Sequence, residues 1–138
     1  MSRLLLFVVI PFVACGCATT PVSSQTAERV PVERVFDQAR TNPSAGTHEL
    51  IVTRDRGMMG VVCATEVYAD GNRIANIRTG ERVSIYLAVG EHIVGVKPSG
   101  ACGGGTAQVE VRITPGKVTK LRVAAGQSGD IKIEHSAF

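Results

Sequence analysis

Glu66-Val67-Tyr68-Ala69-Asp70-Gly71-Asn72-Arg73-Ile74-Ala75 is the stretch on which the fold of this chain turns. Asp70-Gly71 supplies the positive φ angles of a two-residue hairpin turn, and the runs on either side have the composition of short strands. A strand, a tight turn and a returning strand follow. The same period of two recurs further along. Val83, Ile85 and Leu87 alternate with Ser84, Tyr86 and Ala88, and Val109, Val111 and Ile113 alternate with Glu110, Arg112 and Thr114. Alternation of this kind places one face of a strand against a core and the other in water. Thr79-Gly80, Val89-Gly90, Pro115-Gly116 and Ser128-Gly129 mark further reversals. Strands are thus predicted over residues 48–53, 61–69, 73–77, 82–88, 92–97, 107–114, 118–124 and 131–135. The fold class that follows is all-β, a small antiparallel sandwich of about seven or eight strands.

Composition limits what fills it. The chain has 138 residues, 44% of them hydrophobic, but only 4% are aromatic and none is Trp. The interior must be built from Val, Ile, Leu and Ala. The charge balance is 15 basic residues against 12 acidic, a formal +3, and the basic side chains stand singly among acids. A nucleic-acid footprint would cluster them with aromatics between, so nucleic acid is not an expected partner.

Residues 1–18 have a different character. Arg3 precedes the apolar run Leu4-Leu5-Leu6-Phe7-Val8-Val9-Ile10-Pro11-Phe12-Val13, and the small residues Ala14-Cys15-Gly16-Cys17-Ala18 follow. A basic start, a short apolar run and a small-residue site make the layout of an export signal, and the run is too short for a spanning helix. The segment resembles a bacterial lipoprotein signal peptide. That resemblance implies diacylglyceryl modification of Cys17, with Cys15 the alternative, and membrane attachment through the lipid. It also implies the periplasmic face of the outer membrane as the address, because Ala18 is not the Asp that marks inner-membrane retention.

The expected organisation is a signal peptide at 1–16, a lipid-anchored tether at 17–46 and the sandwich at 47–138. The tether stretch is rich in Thr, Pro, Ser, Gln and Arg, and if free its root-mean-square reach would be about 30 Å. Val32, Val35, Phe36 and Ala39 recur at helical spacing between Pro31 and Asn42-Pro43, which predicts a short helix over 31–40. Two cysteines remain for the domain, Cys63 and Cys102. In an exported chain they are placed to form a disulfide, the alternative being two separate thiols.

The run Val67-Tyr68-Ala69-Asp70-Gly71-Asn72-Arg73-Ile74-Ala75, then Gly80 and Leu87-Ala88-Val89-Gly90-Glu91-His92, resembles the PEGA-like domains and related small β-sandwich lipoproteins. Their repeat is a strand, Asp-Gly, a hairpin return, and a Pro-Gly-x-His-type turn into the next strand, with Val89 here in place of the Pro. The resemblance implies the fold and a surface or interaction module without a catalytic centre.

No reactive constellation is expected from the residues themselves. Gly100 to Gly105 lacks the Lys-Ser/Thr and the following helix of a phosphate-binding loop. His48, His92 and His135 share no metal-ligand spacing, and Ser84, Ser99, Ser128 and Ser136 lack a nucleophile elbow. Glu66 with Asp70, and Glu81 with Glu91, are acids of strands and turns. Neither metal nor cofactor is expected. The candidate contact surface comprises Arg54, Arg56, Met58 and Met59, together with Tyr68 and Tyr86 on an outer sheet face. Met58 and Met59 either present soft side chains to a partner or pack onto the sandwich. The expected function is a non-catalytic, lipid-anchored interaction or structural module contacting another envelope protein. The alternative is a lipoprotein that binds a small ligand or cell-wall polysaccharide.

Overall fold

The computed structural model of the chain describes residues 19–57, 62–126 and 130–137. Among these residues the strands are β1 (Glu28–Arg29), β2 (Thr47–Arg54), β3 (Thr65–Ala69), β4 (Asn72–Ile77), β5 (Glu81–Ala88), β6 (Gly90–Pro98), β7 (Ala107–Ile113), β8 (Thr119–Ala125) and β9 (Ile131–His135). They form a β-sandwich. One sheet runs β1-β5-β2-β8-β9 and the other β4-β3-β6-β7. Pairing is antiparallel except for β1 with β5 and β2 with β8. All eight predicted strands are present; β3 differs most, because Val62 to Ala64 lie outside the ladder.

Both sheets bury one face. Leu50, Val52, Val83, Ile85, Leu87, Leu121 and Val123 of the five-stranded sheet meet Val67, Ala69, Ile74, Ile77, Val94, Val96, Val111 and Ile113 of the four-stranded sheet. The core is aliphatic, as the scarcity of aromatics requires. Each fully buried Val, Leu or Ile contributes roughly 1.5–3 kcal/mol, so many small side chains interlocking replace a few large ones.

Asp70 (φ 48°) and Gly71 (φ 78°) form the β3–β4 turn, with Ala69 opposite Asn72. The register then shifts between Val67 and Tyr68, bulging β4 at Ile74. That bulge aims the Ile74 carbonyl sideways, where it accepts the Phe36 N–H at 2.8 Å. A bulge at an edge ends regular pairing and provides an attachment point.

The segment before β2 holds the largest departure from expectation. The helix predicted over 31–40 is reduced to one 3-10 turn at Val32–Arg34. Residues 19–46, read from composition as a tether, lie on the sandwich instead. Thr20 and Arg56 exchange backbone hydrogen bonds, β1 pairs with β5, Val35 bridges Ala75, and the Tyr86 N–H donates to the Arg40 carbonyl at 2.7 Å. An isolated helix of three turns is marginal, whereas two sheet edges offer rows of unpaired backbone groups. Extended pairing therefore wins, and Val32 and Phe36 remain 60% and 50% exposed. The Arg34 guanidinium fixes the strap further, bonding the Glu81 carboxylate at 2.5 and 2.8 Å.

Candidate functional site

The sandwich has two poles. One carries the ends of β2, β4 and β6 and the start of β5; the other carries Asp70-Gly71 and Val89-Gly90. At the first pole Cys63 and Cys102 form a disulfide, with Cα atoms 6.3 Å apart. It ties the Gly-rich connection between β6 and β7 to the chain entering β3. Arg54 lies beneath. It is 5% exposed and donates to the carbonyls of Cys63 at 2.6 Å and Ile77 at 3.3 Å. Burial pushes its pKa down, with the charge of Glu81 opposing. Arg54 is thus a structural brace, which removes it from the expected contact surface. Its place in β2, where every residue from Leu50 to Arg54 is buried, is the reason.

Arg56 is exposed, with its side chain across Gly80: a Cβ on Gly80, at φ 78°, would sit 2.8 Å from Arg56 Nε. Met58, Met59, Cys15 and Cys17 lie outside the described residues. Tyr68 and Tyr86 do not share a patch. Tyr68 is in the four-stranded sheet and Tyr86 in the five-stranded one, each on the strand face opposite the core. Phase along a strand distinguishes inward from outward but does not say which of two sheets the strand joins.

The outward face of the four-stranded sheet carries the most connected polar cluster. Glu66 and Tyr68, two apart on β3, share that face, and the Tyr68 hydroxyl donates to the Glu66 carboxylate. Arg73, cross-strand from Tyr68, donates to Glu66 at 3.1 Å, and Lys97 Nζ lies 3.3 Å from it. The bond from Tyr68 chiefly holds the Glu66 carboxyl below its ordinary value, with burial opposing and Lys97 and Arg73 assisting. Lys97 also lies over the Tyr68 ring at 5.2 Å, and Arg73 over Phe36 at 3.9 Å. Gly95 sits opposite Tyr68 in the ladder and leaves a shallow depression of about 250 Å³, bordered by Tyr68, Ile93, Lys97 and Gln108. Ile93 is 53% exposed. The part played by Arg73 was legible from the two-residue turn, which sets it opposite Tyr68. Lys97 comes from a non-local pairing and had no sequence signal.

At the second pole Asp70 joins two turns. Its Oδ1 accepts the Ile93 N–H at 3.0 Å and its Oδ2 lies 2.7 Å from His92 Nδ1, while His92 Nε2 is 2.9 Å from the Ala88 carbonyl. Burial pushes the Asp70 carboxyl up, but the bonds from His92 and Ile93 and the charge of Arg40 outweigh it and the net direction is down. The acid and the imidazole are consumed in holding the Asp-Gly hairpin to the corner before β6. A wider cleft of about 830 Å³ opens near this pole between the β7 side and β8–β9, bordered by Glu91, Glu110, Arg112, Lys117, Lys120 and His135. Glu91 and Arg112 pair there.

Among the described residues no three His, Cys, Asp or Glu side chains converge as a metal site would need. No family model, curated protein or solved structure matches this chain.

Proposed function

We propose that this chain is a lipid-anchored envelope protein of the PEGA-like kind, held by Cys17 on the periplasmic side of the outer membrane. In this reading it works as a non-catalytic interaction module. The outward face of the four-stranded sheet is its contact surface. The observation that carries the reading is the Tyr68, Glu66, Arg73 and Lys97 cluster beside exposed Ile93. Mutual bonding fixes these side chains in advance, so a partner meets an aromatic and cations that lose little further freedom on binding. A disulfide and an aliphatic interior suit a small domain in an oxidising compartment.

The test is a photo-crosslinking amino acid placed in living cells at Tyr68 and, as a control, at Tyr86. A discrete adduct from position 68 and none from 86 supports the reading. Equal adducts from both, or turnover of an envelope substrate by the purified protein, refute it. Palmitate labelling of Cys17→Ser against wild type tests the anchor, with loss of label expected.

A second reading, a binder of cell-wall polysaccharide fragments, is favoured by the depression over Gly95 beside Tyr68 and Gln108. A rise in melting temperature with such fragments, lost in Tyr68→Ala, would support it.

A further inference from the structure

The strap that replaces the expected tether changes where the domain sits. Among the described residues Thr20 is the first with backbone pairing: its N–H donates to the Arg56 carbonyl at 2.7 Å and its carbonyl accepts the Arg56 N–H at 3.0 Å. Two residues, Ala18 and Thr19, separate it from Cys17, and fully extended the three steps along the backbone span only about 10 Å. A free tether from 17 to 46 would have reached about 30 Å.

The pole where Thr20 enters has its own character. Val62 is 92% exposed, the greatest exposure of any large apolar side chain among the described residues. Arg56 and Arg78 are exposed at the same pole, and Glu28 and Asp130 are its exposed acids. Glu81 and Asp55, also at this end, are bonded by Arg34 and Arg122. An exposed apolar side chain and guanidinium groups on one pole fit the boundary between acyl chains and phosphate headgroups, since arginine binds phosphate through paired donors.

We propose that this pole, presenting Val62, Arg56 and Arg78, is a membrane-contacting surface for a phospholipid bilayer. The sandwich stands end-on against the membrane, with the Asp70-Gly71 and Val89-Gly90 turns pointing away. The proposal rests on Cys17 being the lipid anchor and adds the orientation. In this pose the Tyr68 face runs roughly along the membrane normal, open to a partner from the side.

The chain has no Trp, so a single introduced indole is a clean reporter. Val62→Trp and Val89→Trp place it at opposite poles, at positions 92% and 54% exposed, where folding is not at stake. The lengths of the strands set the two poles about 25 Å apart. Each full-length, lipidated variant is reconstituted in phosphatidylethanolamine and phosphatidylglycerol vesicles carrying a headgroup nitroxide. Several-fold stronger quenching at position 62 than at 89 is expected. Adding Arg56→Glu and Arg78→Glu should lower it, and so should a flexible Gly-Ser insertion after Ala18. Equal quenching at both positions in a chain shown by mass spectrometry to carry its lipid overturns the orientation alone. A chain that carries no lipid and does not float with the vesicles overturns the anchor and the orientation together.

Discussion

Breaking the link between Cys63 and Cys102 should cost this domain a large part of its stability, and the size of the loss can be worked out beforehand. The bridge closes a sequence separation of 39 residues. Restricting the unfolded chain by a loop of that length is worth about 4 kcal/mol on the chain-entropy account. Few losses in the folded state should add to this. Arg54 donates to the Cys63 carbonyl, not to its sulfur, and that bond survives replacement of the side chain. For a chain of this size, about 4 kcal/mol corresponds to a fall in melting temperature on the order of 15 °C. The assay is thermal and urea unfolding of the oxidised wild type against Cys63→Ala/Cys102→Ala, followed by circular dichroism. If the effect lies in the unfolded ensemble, the urea dependence should steepen in the variant, because its unfolded chain expands further. A melting temperature within a few degrees of wild type would refute the reasoning. So would a large loss with an altered native spectrum, which would put the effect in the folded state.

Leu50→Ala, at a site with no exposure, should cost roughly 3 kcal/mol through lost burial and a residual cavity, read from urea unfolding. Gly80→Ala should destabilise more than Gly71→Ala; both have positive φ, but only at Gly80 would the new methyl meet a neighbour, Arg56. Glu66, Asp70 and Glu81 all have carboxyl pKa values below their ordinary ones. For Glu81, burial pushes up but the bonds from Arg34 and the Arg78 N–H prevail. The unfolded chain therefore takes up protons first. The melting temperature should hold near neutral pH and fall as pH drops through the ordinary carboxylate range towards the lower folded values; a rise there would contradict the cited bonds. Arg34→Ala removes the guanidinium that grips Glu81, so proteolysis within residues 19–46 should accelerate before the sandwich itself is cut.

The strands were legible because their signals are local. Alternation of Val83, Ile85 and Leu87, or of Val109, Val111 and Ile113, needs only the period of the backbone, and Asp70-Gly71 needs only two adjacent φ angles. The aliphatic core followed from composition, because no other side chains were present in sufficient number. The pairing of Cys63 with Cys102 was legible because they are the two cysteines that follow the amino-terminal segment, with no third to compete.

Tertiary structure decided the rest. Which sheet a strand joins depends on non-local pairing, so Tyr68 and Tyr86 share a phase but end on different sheets. Arg54 reads as a surface charge until the carbonyls of Cys63 and Ile77 converge on it. The segment at 31–40 has a helical stripe, yet only one 3-10 turn forms in it, because sheet edges assembled from residues far away in the chain bond its backbone at Val35, Phe36 and Arg40. Local periodicity and turn chemistry determined the elements. The competition for unpaired hydrogen-bonding groups, which exists only once the sheets have formed, determined how the strap lies and which charges remain outside.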